Sequence, residues 1–295
     1  MAALALVGAM ISSCSEEIEV VQPANTGKTV MVKTTVSLGE NATTRALTIA
    51  GVKTFAAGEQ IAVIYMNTSN QTVKAVSLAL TDDDIDNNTN AHNATFSVPL
   101  TNPKPGEPVR YIYPASRAAT TVATDAAVNA SATINYAALA TQDGTFASLA
   151  STLDLATFDG TLTESGTLPA TATLANPLTI GKFTIKNGGG DDITNTITSL
   201  SINDGYSTYT ITTTTPLSTF YVAMQPVSSS QTVKVNATDG TKNYYKSVTG
   251  NTLAANNIYA ITVGYIEYLK WDAGTQALKP TPLPETYKTM TAPPT

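Results

Sequence analysis

Between residues 28 and 38 the chain alternates: Val30, Val32, Thr34, Val36 and Leu38 take the even positions, and Thr29, Met31, Lys33, Thr35 and Ser37 the odd ones. Successive side chains of a β-strand point to opposite faces, so this pattern predicts a half-buried strand with its valine and leucine face on a core. The next block, Gly39-Glu40-Asn41-Ala42-Thr43-Thr44, is small and polar, as expected of an exposed loop that proteases can cut, and Arg45 and Ala46 follow it. Beyond it, Phe55-Ala56-Ala57-Gly58-Glu59-Gln60 reads as a turn leading into Ile61-Ala62-Val63-Ile64-Tyr65-Met66, a continuous apolar strand. Further strands are predicted at 94–100, 109–113 and 133–136, with turn chemistry at Asn102-Pro103-Lys104-Pro105-Gly106. That spacing predicts a β-sandwich. Residues 146–153 fit either a short helical turn or a loop, and periodicity does not decide.

A second series of alternating runs covers 182–186, 196–202, 206–212, 219–224, 232–237, 243–248 and 257–269. Gly188-Gly189-Gly190, Asn203-Asp204-Gly205 and Asp239-Gly240 separate them, and Asp-Gly between alternating runs predicts hairpin turns. The pattern weakens around 167–172, which places a boundary between a domain at 46–170 and another at 171–273. Trp271 stands near the end of the last strand, as a core plug of the second sandwich or a hinge. The tail 274–295 carries Pro280, Pro282, Pro284, Pro293 and Pro294, a density that bars the middle of a sheet and suits an extended arm or an edge strand.

Composition narrows the class. At 295 residues, two domains of ordinary size are expected, each with its own core. The sequence is crowded with Thr, Ser, Val and Ala and has a single Trp, which predicts an all-β protein. Only 13% of residues are charged, the net charge is −6 and the pI is about 4.8, so no basic surface awaits a phosphate backbone and nucleic acid is excluded as a partner.

Cys14 is the only cysteine. It follows an apolar stretch at 4–11, too short to span a bilayer, and sits in Ser12-Ser13-Cys14-Ser15-Glu16-Glu17. Small residues before a cysteine let a lipoprotein-type signal peptidase reach an uncluttered backbone, so residues 1–14 read as a lipoprotein signal ending in a lipidated Cys14. The plain alternative is a signal peptide with an incidental cysteine. With Cys14 carrying lipid, no thiol remains for disulfides, thiolate catalysis or cysteine-ligated zinc.

Other candidate chemistry is weak. His92, the only histidine, is flanked by Asn90, Ala91 and Asn93 and reads as a solvated loop residue. The cluster Asp82-Asp83-Asp84-Ile85-Asp86-Asn87-Asn88 resembles half a calcium loop, but the glycine and the closing glutamate are missing at the proper offsets. No metal or other cofactor is expected. Asn-x-Ser/Thr triplets at Asn41, Asn67, Asn93, Asn129 and Asn236 read as chance in a Thr-rich chain. Tyr206, Tyr209, Tyr244, Tyr245, Tyr265 and Tyr268 fit cross-strand pairs and strand ends, with a sugar-stacking platform as the alternative.

Taken in order, several blocks resemble the fimbrillin family, the subunits of type V pili of Bacteroidia. They are the Cys14 signal, the strand and loop ending at Arg45, Phe55-x-x-Gly58-Glu59-x-Ile61-x-Val63, Tyr111-Ile112-Tyr113-Pro114 and Gln142-Asp143-Gly144-Thr145 before Leu149. Residues 177–185, 220–226 and 253–263 continue the likeness over nearly the whole mature chain. The resemblance implies two tandem transthyretin-like β-sandwiches, export to the outer membrane as a lipoprotein, and removal of the propeptide 15–45 by an arginine-specific protease between Arg45 and Ala46. It further implies that the place vacated by Val30, Val32, Val36 and Leu38 receives a strand from a neighbouring subunit, giving a homo-polymer with other pilus subunits. The donor would be the arm 274–295, through Leu283, Tyr287 and Met290, although the prolines break any long alternating run there.

The expected function is therefore a non-catalytic pilin of a cell-surface fimbria supporting adhesion. The second reading is a tip adhesin or a monomeric glycan-binding surface lipoprotein, meeting a host glycan or protein receptor with Arg45 uncut. A hydrolase ranks third, because carboxylates abound without a recognisable partner. Replacing Cys14→Ala is expected to abolish acyl labelling and release the precursor from the membrane fraction, since each buried lipid CH₂ contributes about 0.8 kcal/mol of anchoring.

Overall fold

The computed structural model describes residues 27–38, 54–149, 154–187, 191, 193, 196–240, 242–264, 269–272 and 277–280. Cys14, Arg45, Ala46, Leu283, Tyr287 and Met290 lie outside the described residues. The elements are strands joined by short 3-10 turns. The first nine strands are β1 (Thr29–Ser37), β2 (Ala62–Met66), β3 (Thr72–Val76), β4 (Ile85–Asp86), β5 (Asn93–Thr101), β6 (Pro108–Tyr113), β7 (Thr141–Gln142), β8 (Ala156–Thr161) and β9 (Thr171–Thr173). There follow β10 (Thr179–Ile185), β11 (Ile197–Asn203), β12 (Thr208–Leu217), β13 (Thr219–Met224), β14 (Thr232–Thr238), β15 (Asn243–Thr249), β16 (Ile258–Val263), β17 (Leu269–Asp272) and β18 (Ala277–Pro280).

Two four-stranded sheets, β4-β5-β1-β9 and β3-β2-β6-β8, close on one core. Val36 of β1 and Leu38 just after it, Phe96, Val98 and Leu100 of β5, and Tyr111 and Tyr113 of β6 meet there, all buried. The Phe55-x-x-Gly58-Glu59 block has a packing reason. Phe55 stands edge-on to Phe96 and Tyr113 at 5.4 and 5.3 Å, and Glu59 Oε2 accepts from the Ala56 N–H at 3.0 Å and the Tyr113 hydroxyl at 2.7 Å. The continuous apolar run of β2 is buried on both sides. Ile61, Val63 and Tyr65 face this core, whereas Ala62 and Ile64 join Ile112 under Ala118, Val128, Ile134 and Leu139 of the connection after β6.

A five-stranded sheet, β15-β14-β11-β12-β7, and a three-stranded one, β13-β10-β16, form the second sandwich. Phe183, Phe220, Leu200, Ile202, Val235 and Met224 fill it. The division expected at 170 is displaced in two places. β9 belongs to the first sandwich through its parallel pairing with β1, and Leu174 still lies in that core, whereas Leu178 lies in the next. Earlier in the chain, β7 runs parallel to β12 and lends Thr141–Gln142 to the second sandwich. Buried Gln142 fixes it there: Nε2 donates to Leu139 and Ala223 carbonyls at 2.8 and 2.9 Å, and Oε1 accepts from the Ala223 N–H at 2.9 Å. Gly144 completes this block because its φ of +75° and a Phe220 carbon 2.6 Å from where a Cβ would sit admit no side chain.

Other expectations also needed correction. Residues 133–136 are no strand: Ser131–Thr133 make a 3-10 turn, and one isolated bridge joins Ile134 to Ala118. Their backbone groups are taken locally, Asn135 N–H by the Arg117 carbonyl at 2.7 Å and the Thr133 carbonyl by Ala119 N–H at 2.8 Å. The long strand expected over 257–269 ends with β16 at Val263, and β17 pairs instead with β18. Residues 277–280 of the expected arm thus lie antiparallel to β17, with Pro280 opposite Leu269. Replacing Gln142→Leu would leave the buried Ala223 amide and carbonyl unpaired; a loss of about 1–3 kcal/mol in urea unfolding is expected.

Candidate strand-exchange groove

The strand at the start of the described chain occupies the middle of its sheet. β1 lies antiparallel to β5 along its whole length, from Thr29 opposite Thr101 to Ser37 opposite Asn93. On its other side β9 runs parallel, but only Thr35, Val36 and Ser37 are matched, to Thr171, Ala172 and Thr173. Main-chain bonds lock this end: Thr35 N–H to the Ala170 carbonyl and Leu174 N–H to the Ser37 carbonyl, both at 2.9 Å. Leu38 N–H donates to the His92 carbonyl at 2.9 Å, so His92 meets the strand through its backbone.

The expected alternation is realised in space. Val32, Thr34, Val36 and Leu38 are buried, Val30 packs half-buried against the same core, and Met31 stays 55% exposed on the opposite face. The one polar residue on the inner face is satisfied: Thr34 donates to the Pro169 carbonyl at 2.7 Å and accepts from the Tyr111 hydroxyl at 3.2 Å. Burial holds the Tyr111 hydroxyl well above the ordinary tyrosine range, with the bond to Thr34 offsetting part of the rise.

Because β9 is so short, the first half of β1 borders an open groove of about 680 Å³ beside Val30, Val32, Ser165, Gly166, Leu168 and Ala170. Among the described residues β1 is also the only strand with which β9 pairs. Taking β1 away would leave β5 and β9 as facing edges one strand apart, with a row of unpaired groups on each. Seats for Val32, Val36 and Leu38 would be emptied, at roughly 1.5–3 kcal/mol per side chain. A guest strand would have to run antiparallel to β5 and place an apolar residue at every second position. This is the shape requirement of β-strand addition.

Other candidate residues are not gathered into a site. Asp84 Oδ2 accepts from the Thr81 N–H and hydroxyl at 2.9 and 2.6 Å, bonds that lower its pKa, and Asp86 caps Asn88 N–H at 3.0 Å. Among the described residues no cluster of His, Cys, Asp or Glu could hold a metal. Tyr209, Tyr244 and Tyr245 are buried and Tyr206 is 71% exposed, so they form no common platform. Tyr265 and Tyr268 lie outside the described residues. An ion pair escaped the sequence reading: the buried Arg110 of β6 grips the half-exposed Asp159 of β8, Nε to Oδ1 at 2.6 Å and Nη2 to Oδ2 at 2.8 Å. The signal for it was a lone arginine inside an otherwise apolar strand.

Residues with this geometry define an all-β protein built on sandwiches and a seated, edge-matched first strand. No protein-family model and no curated protein sequence matches the chain. Among solved structures it is similar to a fimbrial assembly protein from Parabacteroides distasonis, at 12% identity and a TM-score of 0.39, over 87% of this chain and 100% of that one. A Bacteroides fragilis protein proposed to act in cell adhesion is similar at 13% identity and a TM-score of 0.36, over 84% and 93%. A fimbrial protein from Bacteroides ovatus is similar at 9% identity and a TM-score of 0.30, over 78% and 50%. Overlaps this loose establish neither register nor site, and the functional reading rests on the strand geometry.

Truncating the inner face of β1 is expected to separate its two sides. Val36→Ala should lower unfolding free energy by about 1–3 kcal/mol, whereas Met31→Ala should stay within about 0.5 kcal/mol, both read from denaturant midpoints.

Proposed function

We propose that this chain is a structural subunit of a cell-surface fimbria and that β1 is a removable strand holding the place of a neighbour's strand. The observation that carries the reading is the position of β1: central in its sheet, buried on one face, and followed by the small polar block 39–44 that leads to Arg45. In this reading the sandwiches are tandem transthyretin-like domains of the fimbrillin type. Cys14 carries a lipid that holds the precursor at the outer membrane, and an arginine-specific protease cuts between Arg45 and Ala46.

The logic is one of effective concentration. While tethered, β1 competes for its seat from within the same molecule, and no separate chain at ordinary concentration can match it. Once cut, β1 departs at the rate at which its burial and ladder are lost, and it is not replenished. A strand from the next subunit then fills a head-to-tail contact that does not close on itself, so it propagates as a filament.

The arm 274–295 is the donor in this scheme, with a qualification that its sequence imposes. Leu283 and Tyr287 share one parity and Met290 the other, so a regular strand cannot aim all of them into one groove. Either a bulge lies between them or the donor uses only Leu283 and Tyr287. The assembled fibre supports adhesion, to a host glycan or protein receptor.

Arg45→Ala is expected to give a folded, soluble monomer that does not polymerise. Trypsin-like treatment of the wild type is expected to yield a chain starting at Ala46 that forms heat-resistant ladders on gels. Filaments from the Arg45→Ala protein at wild-type levels would mean that strand release is not the switch.

A further inference from the structure

Between the sandwiches lies an open cleft of about 810 Å³, within the roughly 300–1,000 Å³ span of small-ligand sites, and such sites favour domain junctions. One wall is the outer face of β6 and β8, with Arg110, Asp159 and the loop residue Asn129; the other is the β11–β12 hairpin with Tyr206, flanked by Gln225 and Gln231.

Two properties of this cleft point to the same ligand chemistry. The first is an aromatic ring held out in water on a rigid support. Tyr206 is 71% exposed, yet the tip beneath it is anchored by Asp204, whose side chain is fully buried. Asp204 Oδ1 accepts from the Tyr206 and Ser207 N–H groups at 2.8 and 2.7 Å, and Oδ2 from the Tyr209 hydroxyl at 2.5 Å. Gly205, at φ +93°, supplies the left-handed turn that the tip needs. Gln231 Nε2 reaches the Asp204 carbonyl at 3.3 Å, and Gln225 Nε2 the Ser207 hydroxyl at 3.1 Å, so the two amides are oriented by the hairpin they flank.

The second property is charge. Arg110 is held by both oxygens of Asp159, by the Ala130 carbonyl at 3.0 Å and by the Thr133 hydroxyl at 3.3 Å, so the one cation among the described residues lining the cleft is neutralised. Asp159 keeps 52% of its side chain exposed, and a carboxylate oxygen that has accepted one bond can accept another. Planar amides and a paired carboxylate suit vicinal hydroxyls, which donate and accept at once, and an exposed tyrosine face suits the C–H face of a pyranose ring. An anionic ligand would meet no free positive charge.

We propose that this cleft binds a neutral saccharide, with Tyr206 as the stacking platform and Asp159, Gln225 and Gln231 as hydroxyl partners. The site does not depend on strand exchange. Its lining residues lie between 110 and 255, so the chain carries it before and after any cut at Arg45.

The test is an array of immobilised neutral oligosaccharides with sialylated and sulfated counterparts, probed with the uncut protein and read as half-saturating concentration. Binding to at least one neutral glycan is expected, weakened at least about fivefold by Tyr206→Ala and largely retained by Tyr206→Phe, with unchanged thermal midpoints for both variants. Asp159→Ala should weaken the same glycan. No binding to any neutral glycan, binding only to acidic ones, or equal binding by Tyr206→Ala would overturn the assignment.

Discussion

Everything in the first sandwich depends on seating one amphipathic strand between two edges that do not otherwise touch. β1 gives β5 a complete antiparallel ladder and gives β9 its only partner among the described strands. Its inner face contributes Val32, Val36 and Leu38 to the core, and its one inward hydroxyl, on Thr34, links the Pro169 carbonyl to the Tyr111 ring system. A strand placed this way is held by both its ladder and its burial. The groove has a fixed width and depth, and the requirements on any occupant are those of pleat and parity alone. Such a constraint is indifferent to whether the occupant belongs to the same molecule, and the proposed strand exchange rests on that indifference.

The sandwiches are not independent beads. Ala62, Ile64 and Ile112 on the outer face of the β3-β2-β6-β8 sheet belong to the same apolar cluster as Phe183, Phe220 and Leu200 of the second sandwich, through Leu139, Leu149 and Leu155. Gln142 reinforces the join, because its amide matches the Ala223 backbone on both donor and acceptor sides. The cleft lies at the rim of this junction. The same connection that buries the apolar face also walls the cleft with Asn129 and Tyr136, so cohesion and the candidate binding surface share residues of one segment.

Much of the fold was legible because alternation is a property of consecutive residues. The strands expected at 28–38, 61–66, 94–100, 109–113, 219–224 and 232–237 overlap β1, β2, β5, β6, β13 and β14, and the inner face of β1 was readable residue by residue. What escaped depended on partners far along the chain. β8 contains Asp159 and Gly160, which argue against a strand until Arg110, its cross-strand neighbour, is placed opposite. β9 is three residues long and is a strand only because β1 lies beside it.

The sequence by itself determined the class, the face that each long strand buries and the polar break before Arg45, because side-chain parity and turn chemistry are written locally. That β1 sits in the middle of its sheet, that β7 crosses to the second sandwich, and which of the four described tyrosines stays in solvent were settled only by the folded chain. Those outcomes turn on which distant edges meet, and the free energy of such a meeting belongs to both edges and to the water they displace, so neither strand's own residues contain it.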